Sequence, residues 1–397
     1  MEIIEKFEIG KFLTFEPSKN LPIYNWFYYK EAFSPQFVEW AIRSFYREGI
    51  VLDPFCGIGT TNLFCKMNGI DSVGFDVNPI AILSSRVKCN FDIYNLDELS
   101  GYIRNFERIV NRGKEEIKEI KEKWYFELFP PSRAFPRNYD REIIFINSKI
   151  DEIENDLSRD FFRLALLSII PQCSLIIKDG GVLKIDKTKS AAPPKVMFLR
   201  KIKRMYNDLL EVRKNNVKNN IKRVFCGIFE GDARKLNFNE KVSLIITSPP
   251  YLNNVDYTKV YGLELSLMKS VEEIKEIRKN MFRSFLDRKI KKIDLSEEIK
   301  EILDKKIERV PIIAYAYFDD IHKFLKECKR LLVEDGKAII VIGNSFIHNI
   351  QINVDEILVE IAKILNFKSK IYVGQIRKTR INRRLITTRE SIVELSN

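Results

Sequence analysis

The sequence predicts an α/β fold, a Rossmann-like doubly wound sheet carrying a large helical insertion, and three observations predict it. Short apolar runs recur at Ile50-Val51-Leu52, Ser72-Val73-Gly74-Phe75 and Val242-Ser243-Leu244-Ile245-Ile246, each of a length suited to a buried strand. Each run ends in a polar or glycine-bearing turn: Asp53-Pro54-Phe55-Cys56-Gly57-Ile58-Gly59-Thr60-Thr61, then Asp76, then Thr247-Ser248-Pro249-Pro250-Tyr251-Leu252-Asn253-Asn254. Open α/β sheets hold their ligands at such carboxyl ends. From about Cys89 to Lys222 the strand pattern gives way to Lys/Glu-rich helical stretches, which reads as an insertion with no sheet of its own.

In chain order, an aromatic-rich start precedes a helix from about Pro35 to Arg47, with Ser34 as cap and Pro35 in the first turn. Strand, glycine turn and the helix Thr60–Asn68 then make a nucleoside-binding βα unit. Its glycines permit close backbone approach, and its helix start offers free amide donors. The third glycine of the dinucleotide fingerprint is missing. Asp76 ends the next strand roughly twenty residues beyond the first glycine, the spacing that sets a carboxylate on ribose hydroxyls. A helix Ile80 to about Lys88 follows.

The insertion reads as helical over Glu107–Lys123, proline-broken over Trp124–Tyr139 and helical over Phe161–Ile170 up to a break at Pro171. It is then looped at Lys178-Asp179-Gly180-Gly181 and basic and helical over Met197–Lys222. The sheet resumes with Val224–Phe229, followed by Gly231-Asp232-Ala233 and the strand before Thr247. A second charged helical insertion spans Lys269–Arg309. An amphipathic helix Tyr317–Leu332 leads through an Asp335-Gly336 turn into the strand Lys337–Gly343. A helix near Val354–Leu365 and strands near Lys368–Val373 and Ser391–Leu395 complete the sheet.

Lysine and arginine number 67 against 55 acidic residues, a formal charge of +12, which suits a polyanionic partner. Arg377-Lys378-Thr379-Arg380-Ile381-Asn382-Arg383-Arg384 concentrates that charge, so Arg377, Lys378, Arg380, Arg383 and Arg384 are the candidate phosphate contacts. The six cysteines have no CxxC spacing and there are only two histidines, so neither a disulfide framework nor a metal site is expected. No apolar run reaches the roughly 18 residues of a membrane span, and no export signal is read. A cytoplasmic enzyme is the expectation.

The chemistry concentrates at Ser248-Pro249-Pro250-Tyr251. Two consecutive prolines stop the strand and hold the backbone before them extended, which leaves the Ser248 and Pro249 carbonyls as fixed acceptors beside a hydroxyl and an aromatic ring. Such a set suits an exocyclic amine on a flat base. This tetrapeptide, with Leu52-Asp53-Pro54-Phe55-Cys56-Gly57-Ile58-Gly59-Thr60-Thr61, resembles the S-adenosylmethionine-dependent DNA amino-methyltransferases, whose Ser-Pro-Pro-Tyr form is most often associated with N4 methylation of cytosine.

The resemblance implies a seven-stranded class I methyltransferase sheet formed by about 1–88 and 223–397; the 89–222 insertion lies outside it, and its Lys and Arg make it a candidate target-recognition region. The resemblance also implies S-adenosylmethionine as cofactor, held by Phe33, Asp53, Phe55, Gly57, Gly59, Thr60, Thr61, Asp76, Asp232 and Ala233. Tyr29–Pro35 would close over its methionine end, and Asp232 would face its adenine amine. Ser248, Pro249, Pro250 and Tyr251 would be catalytic. Double-stranded DNA would be the substrate and a cognate restriction endonuclease the partner. Two alternatives keep the chemistry, adenine N6 in DNA and a base amine in RNA such as tRNA. A third is a nucleic-acid-binding protein with a decayed fold of this type. Cys173 follows Pro171-Gln172 rather than a proline directly, and Cys56 lies in the cofactor loop, so neither is read as the nucleophile of a C5-cytosine enzyme.

Overall fold

The computed structural model describes residues 2–112, 114–120, 123–179, 181–218, 222–253, 255–285, 293–381 and 384–397; at 111, 112, 114, 217, 218, 379–381 and 384 the backbone alone is described. The strands are β1 (Glu2–Glu5), β2 (Val51–Asp53), β3 (Ser72–Asp76), β4 (Ile176–Asp179), β5 (Val182–Ile185), β6 (Cys226–Glu230), β7 (Val242–Thr247), β8 (Leu332–Gly343), β9 (Ser345–Ile347), β10 (Ile350–Ile352), β11 (Lys368–Ile381) and β12 (Arg384–Ser396). Eight of them form one sheet in the order β1-β11-β12-β8-β7-β2-β3-β6. β6, β3, β2, β7 and β8 run parallel, and β12 runs antiparallel to both its neighbours.

Side-chain alternation divides the core into two layers. Leu244 and Ile246 of β7, with Ile339 and Val341 of β8, face Phe37, Val38 and Ala41 of the helix Pro35–Phe45. Val242 and Ile245, with Ala338, Ile340 and Ile342, face the helices Ile312–Leu331 and Val354–Ile364. With both faces covered, the polar chemistry is pushed to the strand ends.

The inserted segment packs a third cluster, in which Phe161, Phe162, Leu166, Phe198 and Ile202 meet Ile80, Leu83 and Val87 of the helix Pro79–Cys89. The N-terminal aromatics are clamped there too: the Trp26 indole donates to Asp208 at 2.8 Å, and the two are buried. The basic helix Pro194–Lys218 turns part of its charge inward, since Arg213 donates to the carbonyls of Phe91 and Tyr94 and Lys201 to that of Asn25.

Several sequence expectations change. The sheet has an eighth strand, the exposed β1, which pairs parallel with β11. The insertion does carry a small sheet, the β4–β5 hairpin, where a loop was expected at Lys178–Gly181. Its apolar helix runs Asp156–Cys173 and passes through Pro171 in its last turn, because a proline there gives up a single internal hydrogen bond. Ser34 stands at the cap position, but its hydroxyl donates to the Phe12 carbonyl at 3.0 Å instead of capping. Asp335-Gly336 lies within β8, in a bulge where Val242 pairs with Leu332 but Leu244 with Lys337. β11 and β12 are far longer than expected, so most of the basic stretch is strand rather than loop.

Candidate active site

β2 and β7 lie side by side, and a buried hydrogen bond ties their ends. The Thr247 hydroxyl donates to Oδ1 of Asp53 at 2.6 Å, and the Phe55 amide donates to the same oxygen at 3.2 Å. Burial pushes the Asp53 carboxyl up to about 7, against the pull of hydrogen bonds from Thr247, Thr61 and Phe55. Thr60 and Thr61 are themselves buried. Thr61 also reaches the Ile246 carbonyl at 3.5 Å. These residues build the floor of the loop.

The two loop glycines serve different needs. Both have positive φ, +50° at Gly57 and +78° at Gly59. A side chain on Gly59 would come within 2.9 Å of Cβ of Ser85, so this glycine lets the helices Thr60–Met67 and Pro79–Cys89 approach. At Gly57 the nearest atom to such a Cβ is the Phe55 carbonyl oxygen at 4.0 Å, so that side of the loop is open. The Gly57 amide donates to Oδ2 of Asp76 at 2.9 Å and the Asn78 amide to Oδ1 at 2.8 Å. Burial pushes Asp76 up to about 6, opposed by these backbone donors.

The other cofactor candidates divide. Phe55 meets Phe282 and Phe324 edge-on at 5.4 and 5.2 Å, which joins the loop to the far layer. Ala233 is buried just past β6. Asp232 is taken up by Arg234, whose Nε and Nη2 lie 2.7–3.0 Å from its oxygens. Phe33 is buried edge-on to Phe37 in the layer beneath the sheet. Tyr29, the first residue of the segment expected to close over the methionine end, has its phenol raised by burial and then by the charges of Glu31 and Asp76. Tyr29 stacks on Tyr261 with ring centroids 4.6 Å apart. The Tyr261 hydroxyl donates to Glu31 at 2.7 Å, and Lys178 stands 3.6 Å from the centre of the Tyr261 ring.

At the end of β7, Pro249 is buried and Ser248 and Tyr251 are part-exposed. The Tyr251 ring lies against the backbone of Gly343, where a Cβ would come within 2.8 Å of its Cδ2. Its hydroxyl donates to Oε1 of Glu390 at 2.9 Å. Burial, then the Glu390 charge, raises the phenol, with the Ser248 side chain pulling the other way. Neither Glu390 nor Gly343 carries any local pattern that marks it in the sequence.

Of the basic candidates, Arg377 and Lys378 are exposed on β11. Arg377 is already paired, at 2.9 Å, with Glu390. The side chains of Arg380 and Arg384, and all of Arg383, lie outside the described residues.

The loop fits S-adenosylmethionine on two counts: the open side of Gly57, and a part-exposed Asp76 carboxylate with lone pairs beyond the two already engaged. Among the described residues no group of three or more His, Cys, Asp or Glu side chains is arranged to hold a metal ion. None of their helices is long and apolar enough to cross a membrane.

Comparison with known proteins agrees with this chemistry. Residues 10–85 match a family model described as DNA methylase. The chain is 28% identical to the type II methyltransferase M.AvaI of Nostoc sp. over 90% of its own length and 81% of that protein. It is 29% identical to M.BsoBI of Geobacillus stearothermophilus over 73% of this chain and 62% of that one, and 23% identical to M.MjaII of Methanocaldococcus jannaschii over 80% and 71%. These matches bear out the resemblance to the S-adenosylmethionine-dependent DNA amino-methyltransferases. S-adenosylmethionine is the methyl donor that this family and fold imply.

Proposed function

We propose that this chain methylates the exocyclic N4 amine of cytosine in duplex DNA, as the modification enzyme of a restriction-modification system with a cognate endonuclease as partner. The observation that carries the reading is the placement of Ser248-Pro249-Pro250-Tyr251 at the end of β7, hydrogen-bonded through Thr247 to the strand end that bears the cofactor loop. The family match and the type II relatives support a DNA methyltransferase. The choice of N4 of cytosine rests on serine at the first position of the tetrapeptide.

S-adenosylmethionine, when bound at the Gly57–Asp76 side, supplies an activated sulfonium methyl. The residues of the chain do the rest by positioning, which is where most of the acceleration in such a reaction lies. In a duplex, pairing and stacking bury the amine, so the base must leave the stack. The Tyr251 ring stacks it. The Ser248 hydroxyl and the Pro249 carbonyl accept its amine protons, and the buried Pro249 keeps that carbonyl from turning away. Asp76 accepts from the ribose hydroxyls. Arg377 and Lys378, with Arg380, Arg383 and Arg384, contact phosphates, and the segment 89–222 is a second surface for target recognition.

Digesting DNA modified by the purified protein to nucleosides and weighing them tests the reading. N4-methylcytosine is expected. N6-methyladenine would move the base assignment and keep the mechanism, and 5-methylcytosine would overturn both. Methylation of RNA with none of DNA would overturn the substrate.

A further inference from the structure

Glu390 is the register partner of Gly343, the residue on which the Tyr251 ring lies, so two adjacent strands grip one side chain. The ring lies against Gly343 through its Cδ2 and Cε2 side, and its phenol reaches Oε1 of Glu390 at 2.9 Å. The other oxygen of Glu390 receives Nη2 of Arg377, also at 2.9 Å, while Gln375 Oε1 receives Nε and the same Nη2 at 3.2 and 3.1 Å. Glu390 is 8% exposed. A carboxylate so enclosed is stable as an anion only with a partner charge. The Arg377 side chain is half open to solvent, at 54%.

The place of these residues in the sheet gives the contact a reach beyond stability. Glu390 is the first residue of β12 to pair with β8. Before it, β12 pairs with β11 alone, so a two-stranded ribbon leaves the sheet there, with Ile376, Arg377, Lys378, Leu385 and Thr387 exposed. A two-stranded ribbon is an element that the major groove of DNA admits.

We propose that Glu390 is a positioning residue: it holds the Tyr251 phenol so that the ring meets the base, and Arg377, at the root of the DNA-facing ribbon, keeps it charged. This rests on the functional reading above. Engagement of the ribbon with phosphates and the setting of the catalytic ring thereby share one guanidinium.

A double-mutant cycle on the full chain tests it. Tyr251→Phe keeps the ring and removes the hydroxyl, and Glu390→Gln keeps the shape and removes the charge. Each should lower kcat by roughly tenfold, the scale of a hydrogen bond to a charged partner. The KM for S-adenosylmethionine should stay unchanged, and the double variant should be no slower than the slower single one. Losses that multiply, or an unchanged kcat in folded Glu390→Gln protein, would overturn the proposal. The same cycle run by denaturant unfolding without DNA is independent of the reaction: coupled losses support the Tyr251–Glu390 contact and additive ones overturn it. Absence of methyl transfer to DNA by the unmutated protein would instead remove the functional reading, and the unfolding cycle would still decide the contact.

Discussion

The Thr247 hydroxyl donates its 2.6 Å hydrogen bond to Asp53 across the boundary between the strand that ends in Ser248-Pro249-Pro250-Tyr251 and the strand that ends in the Gly57–Gly59 loop. Any shift of one strand end along the other breaks this bond in a buried setting, where an orphaned donor is costly. The distance between the two halves of the site is thus held by two short side chains.

Asp53 should make folding pH-dependent. Folding raises its carboxyl from 3.8 to about 7, so the folded chain keeps a proton that the unfolded chain releases. Its contribution to stability is therefore greatest below the unfolded value and declines as pH rises from about 4 to about 7. Asp53→Asn keeps an acceptor for Thr247 and removes the titration. Unfolding midpoints measured across that window should lose part of their downward slope in the variant; an identical slope would assign it to other groups.

Cofactor affinity should carry a second signature. Asp76, raised to about 6 by burial, accepts strongly from ribose hydroxyls only when ionised, so S-adenosylmethionine binding should weaken as pH falls through about 6. Asp76→Ala should lose roughly 1.5–3 kcal/mol of binding and the pH dependence with it. Calorimetry on the folded variant checks both, and undiminished affinity would take Asp76 out of the site.

The loop glycines should separate stability from binding. Gly59→Ala places a Cβ against Ser85 at a positive φ and should cost more than about 1 kcal/mol of stability. Gly57→Ala meets open space, so it should cost roughly 1 kcal/mol in backbone strain and show its main effect as weaker S-adenosylmethionine binding. Thermal melts and titrations on both variants distinguish the two, and equal melting losses with intact binding would contradict the assignment.

On the ribbon, exposed Lys378 should supply about one phosphate contact. Lys378→Ala should flatten the salt dependence of DNA binding by that much, and joint neutralisation of Arg380, Arg383 and Arg384 by up to about three. Cofactor binding should be spared. Unchanged salt slopes would move the DNA surface to the 89–222 segment.

At the tetrapeptide, Ser248→Ala removes one acceptor and leaves the Pro249 carbonyl, so methyl transfer should fall but persist. Tyr251→Ala removes the stacking face, worth roughly 1–3 kcal/mol per base, and should weaken the extruded state of the base. Fluorescence of a reporter base at the target reads that state. Cofactor affinity should survive both changes.

The sequence by itself determined what is local. Short apolar runs mark the strands, and a polar or glycine-bearing turn after each one marks its end, so Asp53, Gly57, Asp76 and Ser248–Tyr251 are all legible as candidates within a few residues of a strand end. Only the tertiary structure decided who meets whom. Glu390 lies 139 residues from Tyr251, Asp53 lies 194 from Thr247, and Arg234 takes up the Asp232 carboxylate while also binding Asp320, 86 residues on. Hydrophobic period fixes which face of a strand is buried, but the register and order of strands are set by closure of the whole sheet. That closure seats Gly343 beside Glu390, turns a basic stretch that reads as loop into paired ribbon, and places a glutamate with no local signature at the Tyr251 ring.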